Sequence, residues 1–139
     1  MTGLLDTSVV VAAFASWHEG HASAAAVLAR APRIPAHVVI ETFSVLTRLP
    51  PPHRAPADVV QAFLAARFGG VPLVLPPRGH MALIEMASRE GLTGGAIYDA
   101  LIAATVLHAG ATLVTRDQRA RLTYDRVRVP YDFLDVATE

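Results

Sequence analysis

Two short apolar runs in this chain lead to an acid. LLD, residues 4–6, stops at Asp6, and TLVTRD, residues 112–117, stops at Asp117. Two further carboxylates stand among apolar neighbours: Glu41 within VVIETFSVL and Asp99 within GAIYDALIAATVL. Taken singly, three of the four have an ordinary structural use. Asp6 can cap a helix that starts at Thr7 or Ser8, an arrangement worth about 1 kcal/mol. Asp99 would favour the positive end of a helix dipole, and Asp117 can cap a short helix after Thr115. Glu41 is harder to account for in this way. Taken together, the four suggest a different chemistry. Two carboxylates about 4 Å apart repel by about 4 kcal/mol at an effective dielectric of 20, and a bound cation removes that penalty. Oxygen donors without Cys or His partners select hard ions, Mg2+ or Mn2+. Such ions align an attacking water at a phosphodiester.

This chemistry requires distant segments to meet, so the elements that carry the acids decide the matter. Strand-like runs recur at Leu4–Leu5, Ile34, Leu73–Leu75, Leu113–Val114 and Val127–Val129. Helical patterns occupy about Ser8–Phe14, His21–Ala29, His37–Arg48, Ala57–Phe68, Gly79–Arg89 and Ala96–His108. This alternation predicts an α/β fold with a central parallel sheet of about five strands. In such a unit a helix runs antiparallel to the strand that follows it. From Asp99 to His108 a helix rises about 14 Å, and the four residues Thr112 to Thr115 cover about 13 Å as a strand. Asp99 is therefore expected beside Thr115 and Asp117. The same reasoning puts Asp6 at the carboxyl end of the first strand and Glu41 on the first turns of the helix after Ile34. All four acids then face the sheet edge where open α/β folds bind ligands.

Pro50-Pro51-Pro52 stops the helix that carries Glu41, since proline lacks an amide donor and clashes inside a helix. Pro56 suits the first position of the next helix, and Gly69-Gly70 ends it. The Ala96–His108 segment is apolar on nearly every side, which predicts burial. The proline-rich stretch 50–56 is too short to link domains, so one domain spanning residues 1–139 is expected.

Bulk properties agree. With 53% hydrophobic and 17% charged residues and no cysteine, the chain suits a folded core without disulfides or thiolate metal sites. The start resembles a secretion signal from Val9 to Ala15 but lacks a basic leader, and no run reaches the ~20 apolar residues of a membrane span. A cytoplasmic protein without membrane contact is expected. Formal net charge is zero, which counts against a protein that coats nucleic acid non-specifically, yet a local basic patch is allowed. Five arginines (Arg116, Arg119, Arg121, Arg126, Arg128) crowd into one stretch. They suit a phosphate-gripping rim or a solvated surface balanced by Asp117, Asp125 and Asp132.

The combined pattern LLDTSVVVAAF, HVVIETFSVLTRL and GAIYDALIAATVLHAGATLVTRD resembles the PIN-domain ribonucleases, and within them the VapC toxins of bacterial toxin–antitoxin pairs. The resemblance covers nearly the whole chain. It implies a PIN-like fold with helices on both faces of the sheet. It also implies an acidic metal site of Asp6, Glu41, Asp99 and Asp117, with Thr115 assisting through its hydroxyl and Thr7 and Ser8 supporting the first acid. The implied activity is Mg2+- or Mn2+-dependent endoribonuclease hydrolysis of RNA (tRNA, rRNA or mRNA) by activated water, with Arg116 and Arg119 among the substrate-binding residues. Implied partners are a second copy of the chain and a VapB-type antitoxin that wraps the toxin. One departure concerns the metals: some family members carry another acid where Arg119 stands here, so one well-ordered ion, with a second recruited by substrate, is expected.

Rival readings remain. A haloacid dehalogenase-like phosphohydrolase would use Asp6 as a nucleophile, but it needs an acid where Ser8 stands and a lysine, which this chain lacks entirely; a response regulator also needs lysine. A catalytically silent binding module with the same fold is the other alternative. The six histidines (18, 21, 37, 53, 80, 108) are scattered singly, as surface or loop residues are. Trp17 suits either packing at a helix corner or partner interface, or stacking on an unpaired base. Gly94-Gly95 serves as a turn or as a close approach to phosphate. The helix face from Val59 to Phe68 suits either core burial or antitoxin contact.

Overall fold

The computed structural model describes residues 3–30 and 32–134. Leu4 and Leu5 of β1 (Gly3–Leu5) point to opposite faces of the sheet, and both are buried, so this strand is covered on both sides. Asp6 then starts α1 (Thr7–Phe14), a helix with Val9, Val10, Ala12 and Ala13 in the core. A tight loop leads into α2 (His21–Leu28). Pro35 precedes α3 (Ala36–Thr47), and Pro56 precedes α4 (Ala57–Phe68). Helix α5 (Pro77–Glu90) has proline at its first position and ends at Gly91, whose φ of 71° is left-handed. Helix α6 (Ala96–His108) buries Ala100, Ile102, Ala103, Thr105 and Val106. Then come β2 (Thr112–Thr115), α7 (Arg121–Val127) and β3 (Tyr131–Phe133).

The three strands run parallel in the order β1-β2-β3, with Leu4 opposite Leu113 and Thr115 opposite Phe133. A sheet of about five strands was expected, and this differs among the described residues. Ile34 and Leu73 are reduced to one parallel bridge, closed by Leu73 N to Ile34 O and Ala36 N to Leu73 O. The reason is compositional: Pro35, Pro72 and Pro76 have no amide to extend a ladder. Val127–Val129 is not a strand either. Val127 closes α7, Arg128 takes a left-handed φ of 68°, and the strand begins three residues after Arg128. No helix among the described residues is long and apolar enough to cross a membrane.

Candidate active site

The carboxyl ends of β1 and β2 lie side by side, and Asp6 N donates to Val114 O at 3.1 Å to hold them there. A cleft of about 530 Å³ opens at this edge, and Asp6, Glu41, Asp99 and Asp117 all line it, with Thr7, Ser8, His18, Arg116, Gln118, Arg119 and Tyr124 among the other wall residues. Acids from four separate segments thus share one cavity.

Asp6 is almost completely buried, and its two oxygens are fully engaged. Oδ1 accepts from Ser8 N at 3.1 Å, Ser8 Oγ at 2.5 Å and Val9 N at 3.4 Å. Oδ2 accepts from the Tyr124 hydroxyl at 2.8 Å and from Thr115 Oγ1. The capping use and the cleft use of Asp6 therefore coexist. Burial pushes its carboxyl above the usual range, opposed by the donors from Ser8, Thr115, Tyr124 and Val9.

The supporting hydroxyls work in two directions. Ser8 Oγ donates to Asp6 and accepts from Arg116 N at 2.8 Å; Thr115 Oγ1 donates to Asp6 and accepts from Asp117 N at 3.0 Å. On the opposite wall, Thr7 Oγ1 donates to Glu41 Oε1 at 2.5 Å, tying α1 to α3. Asp117 Oδ1 accepts from the amides of Arg119 at 3.0 Å and Ala120 at 3.3 Å, which fixes the turn before α7. Asp99 accepts no hydrogen bond among the described residues. Its carboxyl is pushed up to about 6 by burial, then by the charges of Asp117, Glu41 and Asp6, with Arg119 opposing.

In chemical type, all carboxylate oxygens, the donors suit a hard cation. Asp99 is unpartnered beside three other acids, and Glu41 and Asp117 each keep one oxygen without a described donor. As they stand, no three or more His, Asp or Glu side chains among the described residues are gathered closely enough to hold an ion. Asp6, with both oxygens already engaged, would have to give up a donor to act as a direct ligand.

The repulsion has a measurable consequence for the metal-free protein. Asp99 titrates near 6 when folded and near about 3.9 when unfolded, so the native state holds more protons across that window. Stability therefore falls as pH rises from about 4 to 6 and levels off above; Asp6 acts in the same direction. Because Asp99 is only partly buried, screening limits its share to on the order of 1–2 kcal/mol. Urea unfolding in EDTA at pH 5 and pH 7 should show Asp99→Asn losing less stability between the two than wild type. Equal losses would remove Asp99 from the account.

Only Arg116 and Arg119 of the five clustered arginines reach the cleft. Arg121 lies over the rings of Tyr131 and Phe133, and Arg126 donates to Glu90 O at 2.9 Å. Tyr124, His18 and Gln118 belong to the site but were not singled out for it by the sequence. Nothing in RLTYDRV marks Tyr124 as a partner of Asp6, 118 residues away.

Residues 3–126 match the family model for the PIN domain. Over 129 residues the chain is 47% identical to Ribonuclease VapC40 of Mycobacterium tuberculosis, covering 93% of this chain and 96% of that protein. Ribonuclease VapC27 of the same species is 40% identical, with 90% and 91% covered. The chain belongs to the VapC ribonucleases of the PIN-domain family. Solved structures share the fold at lower identity. FitAB bound to an IR36 DNA fragment superposes with a TM-score of 0.70 at 19% identity, covering 98% of this chain and 96% of that one. VapBC2 from Rickettsia felis, bound to a DNA fragment from its promoter, gives 0.65 at 18% identity, with 97% and 100% covered.

Proposed function

We propose that this chain is the toxin of a VapBC-type pair and cleaves RNA internally at the acid-lined cleft in the presence of Mg2+ or Mn2+. The observation that carries this reading is the convergence of Asp6, Glu41, Asp99 and Asp117 on one cavity, with Asp99 left unpartnered among like charges. Asp99, Glu41 and Asp117 would hold the ion, with Asp6 as the buried anion behind them. When bound, the ion supplies a water acidic enough to attack phosphorus and neutralises charge on the phosphate oxygens.

The chain's own residues do the rest. Ser8, Thr115 and Tyr124 hold Asp6 in place by donating to it, and these bonds oppose the upward push that burial exerts on its carboxyl. Thr7 fixes Glu41. Arg116 and Arg119 stand on the same wall, where guanidinium groups grip phosphate oxygens. A covalent route through Asp6 is disfavoured, since both its oxygens already accept hydrogen bonds and Ser8 sits where a second acid would be needed.

A VapB-type antitoxin is the expected protein partner, and a homodimer the expected assembly. Protein freed of antitoxin should cleave single-stranded RNA with Mg2+ or Mn2+ and lose that activity in EDTA. Cleavage that survives EDTA, or no cleavage with either ion, would overturn the reading. Mapping the new RNA ends after brief induction in cells identifies the substrate among tRNA, rRNA and mRNA.

A further inference from the structure

The loop between α1 and α2, residues 15–20, reads ASWHEG and forms one end of the cleft through His18. It is closely tied: His18 N donates to Ala15 O, His21 N to His18 O, and Gly20 N to His18 Nδ1, each at 3.0 Å. On this rigid turn sits Trp17, the chain's single tryptophan, which remains 49% exposed and takes no part in the hydrophobic core. Its ring stacks on His53 at 3.9 Å with 28° between planes, and His18 lies 5.8 Å away on the cleft side. His53 is exposed and held by its own turn, with His53 N donating to Pro50 O at 3.0 Å. A row of three flat rings therefore runs outward from the acidic cleft.

Arg116 adjoins the same loop. A methyl group at Gly20 would overlap its guanidinium, so glycine lets that side chain lie against the turn. Arg116 Nε is buried and has no hydrogen-bond partner. A guanidinium lining the cleft and an exposed ring stack near it are the two elements that single-stranded nucleic acid engages: a cation for phosphate and an aromatic face for an unstacked base.

We propose that the α1–α2 loop is a base-stacking subsite, in which one unpaired RNA base stacks on the Trp17–His53 rings while Arg116 takes a neighbouring phosphate. This rests on the ribonuclease reading and assigns one base of the unpaired substrate to a named surface of the chain. Double-stranded RNA keeps its bases stacked on one another and cannot use the rings.

Trp17 reports directly on the test. In the Asp99→Asn protein with Mg2+, a ten-nucleotide single-stranded RNA should quench tryptophan emission to saturation, and the matching duplex should not. Trp17→Ala should raise KM about tenfold with kcat changed less than about twofold, and Trp17→Phe should stay within about threefold of wild-type KM. The inference is overturned if labelled RNA binds, as read by anisotropy, with no change in emission. It is also overturned if Trp17→Ala cleaves with wild-type KM, or if only an antitoxin peptide quenches. Wild-type cleavage without quenching removes the subsite and spares the nuclease reading. Quenching without wild-type cleavage does the reverse.

Discussion

Asp99→Asn should abolish RNA cleavage, with kcat/KM falling by about 10³-fold or more, a loss of about 4 kcal/mol in transition-state stabilisation. Asparagine keeps the volume of the side chain and removes its charge, so the cleft wall stays in place while its affinity for a divalent ion drops. The same change relieves the repulsion that Asp117, Glu41 and Asp6 exert on this carboxyl. Activity and metal-free stability should therefore move in opposite directions at pH 7. Initial-rate measurements with Mg2+ and a urea titration in EDTA read the two effects separately. An inactive variant that is also less stable than wild type would mean that Asp99 holds the fold rather than the ion.

The second large effect is on folding. Tyr124 is among the largest fully buried side chains, packs near the Tyr131 ring at 5.8 Å and donates to Asp6 at 2.8 Å. Tyr124→Ala should cost about 3–5 kcal/mol, from the lost ring and the cavity left behind. That is a large part of the 5–15 kcal/mol that typically holds a domain together. Tyr124→Phe keeps the ring and removes one hydrogen bond to a buried carboxylate, about 1.5–3 kcal/mol. Urea midpoints with unchanged slopes measure both. If the Phe variant matches wild type, the hydroxyl is not what secures Asp6.

The placement of the acids was legible in the sequence because it depends on chain direction and rise per residue, which side-chain detail does not disturb. Asp6 and Asp117 follow the ends of two adjacent parallel strands, and Asp99 lies one helix-length before the second of them. The outer sheet was less legible. Ile34 and Leu73–Leu75 have strand-like composition, but neighbouring prolines limit them to a single bridge. Val127–Val129 misled for a different reason. β-Branched residues favour strands only weakly; α7, with Thr123 and Tyr124 buried, takes Val127 as its last residue, and Arg128 turns the chain left-handed before the strand. Tyr124 itself was invisible, since a long-range contact to one carboxylate leaves no periodic trace.

The hydroxyls of Ser8 and Thr115 give the site a polarity. Each donates a hydrogen bond to Asp6 and accepts one from the backbone amide of Arg116 or Asp117. Donation therefore runs one way, from the loop that carries the arginines into the buried anion. The arginine loop and the start of α1 thus share one acceptor, although more than a hundred residues separate them in sequence.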